Sequence, residues 1–203
     1  MDQAKKECIL HAAARAFARF GFKKASVEEI AKEAGVAKGT VYLAAETKED
    51  LFYQAVHREV RGWTAELARL IDPRVSAEQL LMQVASEGLR YLNERPLVRE
   101  LLFGSYHLVM PEWTDRLDQL RELGRSNTVE ILRLGVKQGR FRKDLDLDEV
   151  SKILQDVAIS TYLFHNRGVD RDERLARRMM TAFELLMNGL KAKTVAHRKG
   201  EAA

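Results

Sequence analysis

From Ile9 to Leu190 the apolar residues return at three- and four-residue spacing, and no stretch alternates apolar with polar as a half-buried strand does. A chain patterned this way folds into helices that bury one stripe each. Only three prolines and twelve glycines interrupt it, and Gly21, Gly35, Pro73, Pro96 and Gly139 fall at the joints. Ile9, Ala12, Ala13, Ala16, Phe17 and Phe20 form the stripe of a first helix ending at Gly21. Ser26-Val-Glu-Glu29 has the spacing of a capping box and opens a second helix, with Val27, Ile30 and Ala31 inward, that stops at Gly35. Thr47 caps a long helix whose stripe runs through Leu51, Phe52, Ala55, Val56, Val60, Trp63, Leu67 and Leu70 to Asp72-Pro73. Ser76 to Gln79 opens a helix to about Asn93, and a short one follows around residues 97–105. Pro111 suits the first turn of a helix through Lys137, closed by Gly139. Asp146 or Asp148 caps a helix to about His165, and Asp170-x-x-Glu173 caps a last one through Lys191. The expectation is an all-α chain of about nine helices.

Composition narrows the function classes. A 46% apolar and 32% charged chain of 203 residues supports a real core, and a net charge of +4 is compatible with an acidic partner without demanding one. Cys8 is the single cysteine, which rules out an internal disulfide and a cysteine-rich zinc site and fits a reducing compartment. No run of 18 apolar residues and no signal-peptide pattern is present, so the expectation is a cytoplasmic protein without a membrane span. The five histidines are scattered, and no HExxH, phosphate-binding glycine loop or nucleophile elbow occurs. An enzyme, a metal site and a cofactor are therefore not expected; Cys8 near His11 reads as an ordinary helix residue.

The segment between the second and the long helix, Lys38-Gly-Thr-Val-Tyr42, is a poor helix former placed among good ones. With the second helix and the glycine turn it has helix-turn-helix spacing. Ala31 is small where the two helices would cross, Val36 and Val41 would fill the angle, and Phe17 and Phe20 would supply a third wall. A recognition helix gives up stability because its first residues enter the major groove. Gly39 would let the backbone near a phosphate, Thr40 and Tyr42 offer hydroxyls, and Lys38 and Lys48 offer charge. Ser26 could share the second helix's N-terminus with a phosphate.

Residues 21–51 resemble the N-terminal signature of the TetR family of bacterial transcriptional regulators. The matching residues are Gly21, Ser26-Val27, Ile30-Ala31, Ala34-Gly35-Val36, Lys38 to Tyr42, and Lys48-Glu49-x-Leu51. The resemblance implies a three-helix DNA-binding head over residues 1–47, a helical ligand-binding and dimerisation domain over 48–192, and a polar tail over 193–203. It implies a homodimer on a palindromic operator, its heads about one helical turn (roughly 34–36 Å) apart. It further implies a repressor released by a small effector. The expected DNA-contact set is Ser26, Val27, Lys38, Gly39, Thr40, Tyr42, Leu43 and Lys48. Three positions depart from the family. Ala37 stands where a serine often caps the recognition helix, a loss of about 1 kcal/mol. Ala44-Ala45 replaces a usual aromatic pair, which suggests a looser head or one packed by Phe52 and Tyr53. The alternative to a regulator is a ligand-binding helical dimer with altered or lost DNA binding.

Val157 to Phe164, VAISTYLF, is apolar nearly all round, and the last helix carries a broad stripe. Paired across a two-fold axis, these helices would make a four-helix bundle, with Val157, Phe164, Met179, Phe183, Leu186 and Leu190 as the expected dimer interface. Trp63, Met82, Tyr91, Phe103 and Tyr106 are candidates for an effector pocket, with His107, Met110, Trp113 and Tyr162. This apolar set with a few polar groups suggests a hydrophobic or aromatic effector.

Overall fold

The computed structural model describes residues 1–98, 114–166 and 173–192. Their helices are α1 (Gln3–Lys24), α2 (Val27–Glu33), α3 (Lys38–Tyr42), α4 (Lys48–Ala68), α5 (Ala77–Glu94), α6 (Thr114–Lys137), α7 (Leu147–Asn166) and α8 (Glu173–Leu190). Residues 96–98 are also helical. The only strand-like pairing among the described residues is an isolated bridge between Phe141 and Lys191. The fold is all-α, as the periodicity requires. The expected start of the last helix at Asp170 and much of the helix over 97–105 lie outside the described residues.

Packing divides the chain into two units, Met1–Leu70 with Ser86–Ser126, and Ile71–Ala85 with Asn127–Ala203. In the first unit α4 packs along α1, so residue 47 is a joint inside a unit. The centre is an aromatic cluster: Phe17 meets Phe52 edge-on at 5.0 Å, and Phe22 meets Phe52 at 5.3 Å. Phe52 is fully buried, and truncating such a ring costs about 3–5 kcal/mol. Phe22 holds the position expected of Phe20. Gly21 interrupts α1 with φ 73° and ψ 164°, a conformation open in practice only to glycine. That break turns Phe22 into the core and leaves Phe20 exposed under the Arg19 guanidinium, 4.9 Å from the ring centre.

The capping box of α2 is present in full: Glu29 N–H donates to Ser26 Oγ (3.1 Å) and Ser26 N–H donates to the Glu29 carboxylate (3.2 Å). At its other end Gly35 adopts φ 66°. Val36 N–H donates to Ala31 O and Gly35 N–H to Lys32 O, a Schellman ending that sets the angle to α3. Thr47 caps α4 through Asp50 N–H. Cys8 is exposed, with Sγ 3.6 Å from Ala34 O.

The second unit is organised around Gln138 and Phe141. The Gln138 amide accepts from Ala77 N–H (3.0 Å) and donates to Pro73 O (3.1 Å) and Val75 O (2.8 Å), tying the start of α5 to the end of α6. Phe141 is buried against Gly135, where a Cβ would stand 2.1 Å from the ring. Arg142 N–H donates to Leu190 O and Ala192 N–H to Arg140 O, which fastens the loop after α6 to the end of α8. Asp146 caps α7, its carboxylate accepting from Asp148 and Glu149 N–H.

Candidate nucleic-acid interface

The α3 edge is built by a core residue that holds it from behind. Val41 is 1% exposed and seats the helix on the head, while Tyr42 and Leu43 beside it are 44% and 74% exposed. Tyr42 is the last residue of this five-residue helix and Leu43 its C-cap, and Val41 is the residue of α3 that is buried. The helix has no side-chain cap: Ala37 serves through its backbone only, its carbonyl accepting from Thr40 N–H at 2.8 Å. Lys38 is exposed and hydrogen-bonded to the exposed Glu28 carboxylate of α2. Each charge holds the other ionised, lowering the Glu28 pKa and raising that of Lys38. Glu28 was not among the expected residues. Its role depends on the turn geometry that brings position 28 beside position 38, which no local pattern announces.

Gly39 is exposed, lies outside the positive-φ glycines, and has nothing within 4 Å of where a Cβ would stand. The free protein therefore has no steric or conformational need for glycine there. Thr40 is half-buried on the same short helix.

Three expected contacts are placed differently. Val27 is buried in the head core, so its side chain cannot reach DNA; only its backbone N–H, at the open end of α2, remains for an outside acceptor. The Ser26 hydroxyl is occupied by the capping box. Lys48 is half-buried; its ammonium lies 4.9 Å from the Phe22 ring centre and donates to Lys23 O at 3.3 Å. That carbonyl end of α1 explains a cation in the first turn of α4, where the helix's own dipole opposes it.

The Ala44-Ala45 pair does not loosen the head. Both alanines are buried, and both N–H groups donate to Val41 O. The Gln54 side chain donates to Ala44 O (3.1 Å) and to the Asp50 carboxylate (2.8 Å). Phe52 packs on Phe17 and Phe22, whereas Tyr53 turns to α6, donating to Gln119 at 2.9 Å with Arg116 over its ring.

Of the pocket candidates, Trp63 and Tyr91 come together, their rings stacked at 5.0 Å and 15°. The Tyr91 hydroxyl donates to Glu59 O at 2.7 Å, and burial with the nearby Glu59 charge raises its pKa. Glu59, largely buried, has a raised pKa that Arg95, 3.9 Å away, only partly offsets. The Trp63 Nε1 and Arg95 Nε atoms are buried without a hydrogen-bond partner. Met82 is exposed, which removes it from an enclosed pocket. Phe103, Tyr106, His107, Met110 and Trp113, and the side chain of Tyr162, lie outside the described residues. Of the expected dimer contacts, Val157, Phe183 and Leu186 are half-buried, and Ile153 and Leu185 nearby in sequence are exposed apolar residues. Leu190 is buried within its own unit, its carbonyl held by Arg142, so it belongs to the core. The side chains of Phe164 and Met179 lie outside the described residues. Among the described residues no helix is long and apolar enough to cross a membrane, and no group of three or more metal-binding side chains converges.

Comparison with known proteins agrees with this geometry. The chain is 24% identical over 189 residues to the fatty acid metabolism regulator protein of Bacillus subtilis, covering 90% of this chain and 93% of that one. It is 26% identical to the HTH-type transcriptional repressor KstR2 of Mycolicibacterium smegmatis, covering 81% of each. Among solved structures, FadR of Bacillus subtilis in complex with stearoyl-CoA superposes with a TM-score of 0.70 at 22% identity, over 91% of this chain and 98% of that one. A TetR transcription regulator of Haloarcula marismortui superposes with a TM-score of 0.72 at 22% identity, over 94% and 100%. Residues 9–55, which run from α1 through the α3 edge into α4, match the family model for bacterial regulatory proteins, tetR family. That segment carries the DNA-binding helix-turn-helix of bacterial regulatory proteins, tetR family, and the relatives matched along most of the chain are transcriptional regulators.

Proposed function

We propose that the chain is a homodimeric repressor that holds a palindromic operator through α3 and lets it go when an apolar small molecule binds the C-terminal helices. The observation that carries the reading is the α3 edge. Tyr42 and Leu43 are exposed beside a fully buried Val41, on a helix that is uncapped and carries a glycine the free protein does not need. Such residues make sense when DNA supplies the missing contacts. Lys38, Gly39, Thr40, Tyr42 and Leu43 form the reading edge, with Lys48 behind it. The half-buried Val157, Phe183 and Leu186 with the exposed Ile153 and Leu185 support pairing through α7 and α8.

For the effector, the stacked Trp63–Tyr91 pair and the buried, unpartnered Trp63 N–H favour a largely apolar molecule carrying an acceptor oxygen. The name of a Bacillus subtilis relative, a fatty acid metabolism regulator, and the stearoyl-CoA bound in the similar Bacillus subtilis FadR structure make a long-chain acyl thioester the first molecule to try. The test is an electrophoretic shift with the DNA flanking the chain's own gene, titrated with stearoyl-CoA and with coenzyme A alone. Release by the acyl form only supports the reading. No shift at low salt sinks the regulator, and release by both forms equally sinks the apolar effector. A helical dimer without DNA binding is disfavoured because the Ala44-Ala45 pair is packed and bonded, leaving the edge formed.

A further inference from the structure

α1 and α4 run antiparallel. The start of α4 meets the end of α1 through Lys48 and Phe22, and Arg58 of α4 meets Glu7 near the start of α1. Around the Arg58–Glu7 contact, residues of both helices line a cleft of about 200 Å3. Leu10, buried, and Tyr53 give it an apolar side. Its charged lining is Lys6, Arg58 and Arg61 against the single carboxylate of Glu7, with His57 and the Gln3 and Gln54 amides alongside. The Arg58–Glu7 pair is tight at 2.5 Å, and Gln3 donates to the same carboxylate at 3.2 Å. Three cations and one anion leave two positive charges, those of Lys6 and Arg61, facing a concave space. Arg61 is exposed and lines the cleft with Glu7 and His57, so its charge stands at the open side of that space.

The cleft is not part of the reading edge. Lys48 and Arg61 are thirteen residues apart on one helix, about 20 Å along its axis. Operator contacts at α3 leave these cations unused.

We propose that this cleft is an anion site that takes a dianionic phosphate group, free or as an ester. Arg61 and Lys6 supply the neutralising charge, Arg58 is shared between the ligand and Glu7, and the neutral His57 imidazole serves as a donor. Two residual positive charges match a dianion, and guanidinium groups present paired N–H donors to phosphate oxygens. Leu10 and Tyr53 leave room beside the charge for the less polar part of an ester. A bound ligand would touch α1 and α4 at once, the two helices that frame the first unit.

The test uses the full chain without DNA, so its failure and that of the regulator reading are separable. Inorganic phosphate and ribose 5-phosphate are titrated calorimetrically at pH 7.5 against sodium chloride of matched ionic strength. Saturable binding of at least one is expected. Arg61→Gln should weaken it at least fivefold, the Lys6→Gln/Arg61→Gln double variant should abolish it, and Lys38→Gln at the α3 edge should leave it unchanged. Tighter binding of the sugar phosphate marks an ester as the ligand; binding of inorganic phosphate alone marks the free anion. Because the double variant could disturb the head, the His57 imidazole resonance, assigned by its absence in His57→Gln, gives a second readout in the wild-type chain. It should move on adding the tighter-binding probe. No saturable binding, an unmoved His57 resonance, affinity retained in the double variant, or affinity lost in Lys38→Gln overturns the proposal.

Discussion

Gly39→Ala separates what DNA requires from what the fold requires, because the two effects carry opposite signs. Gly39 sits in the first turn of α3, exposed, outside the positive-φ region, with nothing within 4 Å of a Cβ. Alanine there meets no clash and no backbone strain. It lowers the conformational entropy of the unfolded chain and favours helix, worth about 0.4–1 kcal/mol. For a chain of this length that raises Tm by roughly 1–4 °C. On DNA the same methyl stands where the backbone is expected to approach a phosphate. Losing one close contact, at about 1.4 kcal/mol per factor of ten, should weaken operator binding on the order of tenfold. Thermal melts and fluorescence anisotropy with operator DNA at fixed salt read the two quantities. A raised Tm with unchanged affinity would show that DNA does not approach Gly39. A lowered Tm would show that the fold needs this glycine, and the argument for a sacrificed helix would fail.

Two further outcomes follow from charges on the head. Glu28→Gln removes the carboxylate that now occupies Lys38; the operator should bind more tightly, with a steeper salt dependence as Lys38 becomes available for a phosphate, and a weaker complex would mean that the pair positions Lys38 for DNA. His57 has a lowered pKa, first from burial and then from Arg61, and is also faced by Lys6 and Glu7 of α1 and Arg58 of α4. A histidine less basic folded than unfolded penalises the native state once the unfolded chain protonates. The penalty should begin as pH falls through about 6.5 and be complete below the folded value. His57→Gln should therefore lose less Tm than the wild type between pH 7.5 and 5.5. Parallel curves would remove the burial argument.

The head was legible because its signals are local. The Ser26–Glu29 box, the Gly35 stop and the Thr47 cap each lie within four residues of what they bond. Phe20 was misplaced because periodicity assumes one continuous helix, and the positive φ at Gly21 shifts the register by turning Phe22 inward. Val27 follows the same logic in reverse: it belongs to the motif, but as the core residue behind the α2 terminus. Lys48 looked misplaced for its own helix and is explained by another, the carbonyl end of α1. The contacts that sequence spacing could not supply cross longer separations: Glu28 with Lys38, Arg58 with Glu7, and Ala77 with Gln138. Pocket residues are the least legible in sequence, since an aromatic at helical spacing serves a core and a cavity equally well. Trp63 and Tyr91 met, whereas Met82 faces solvent.

The central claim is that α3 is held by the head and spent on DNA. Tyr42→Ala tests it most directly, because Tyr42 is 44% exposed and its ring is not needed to seat the helix that Val41 anchors. Operator affinity should fall at least tenfold, while Tm and the mass in solution stay at the wild-type values. Wild-type affinity in Tyr42→Ala, or a loss of affinity that comes with a lowered Tm, would contradict the account.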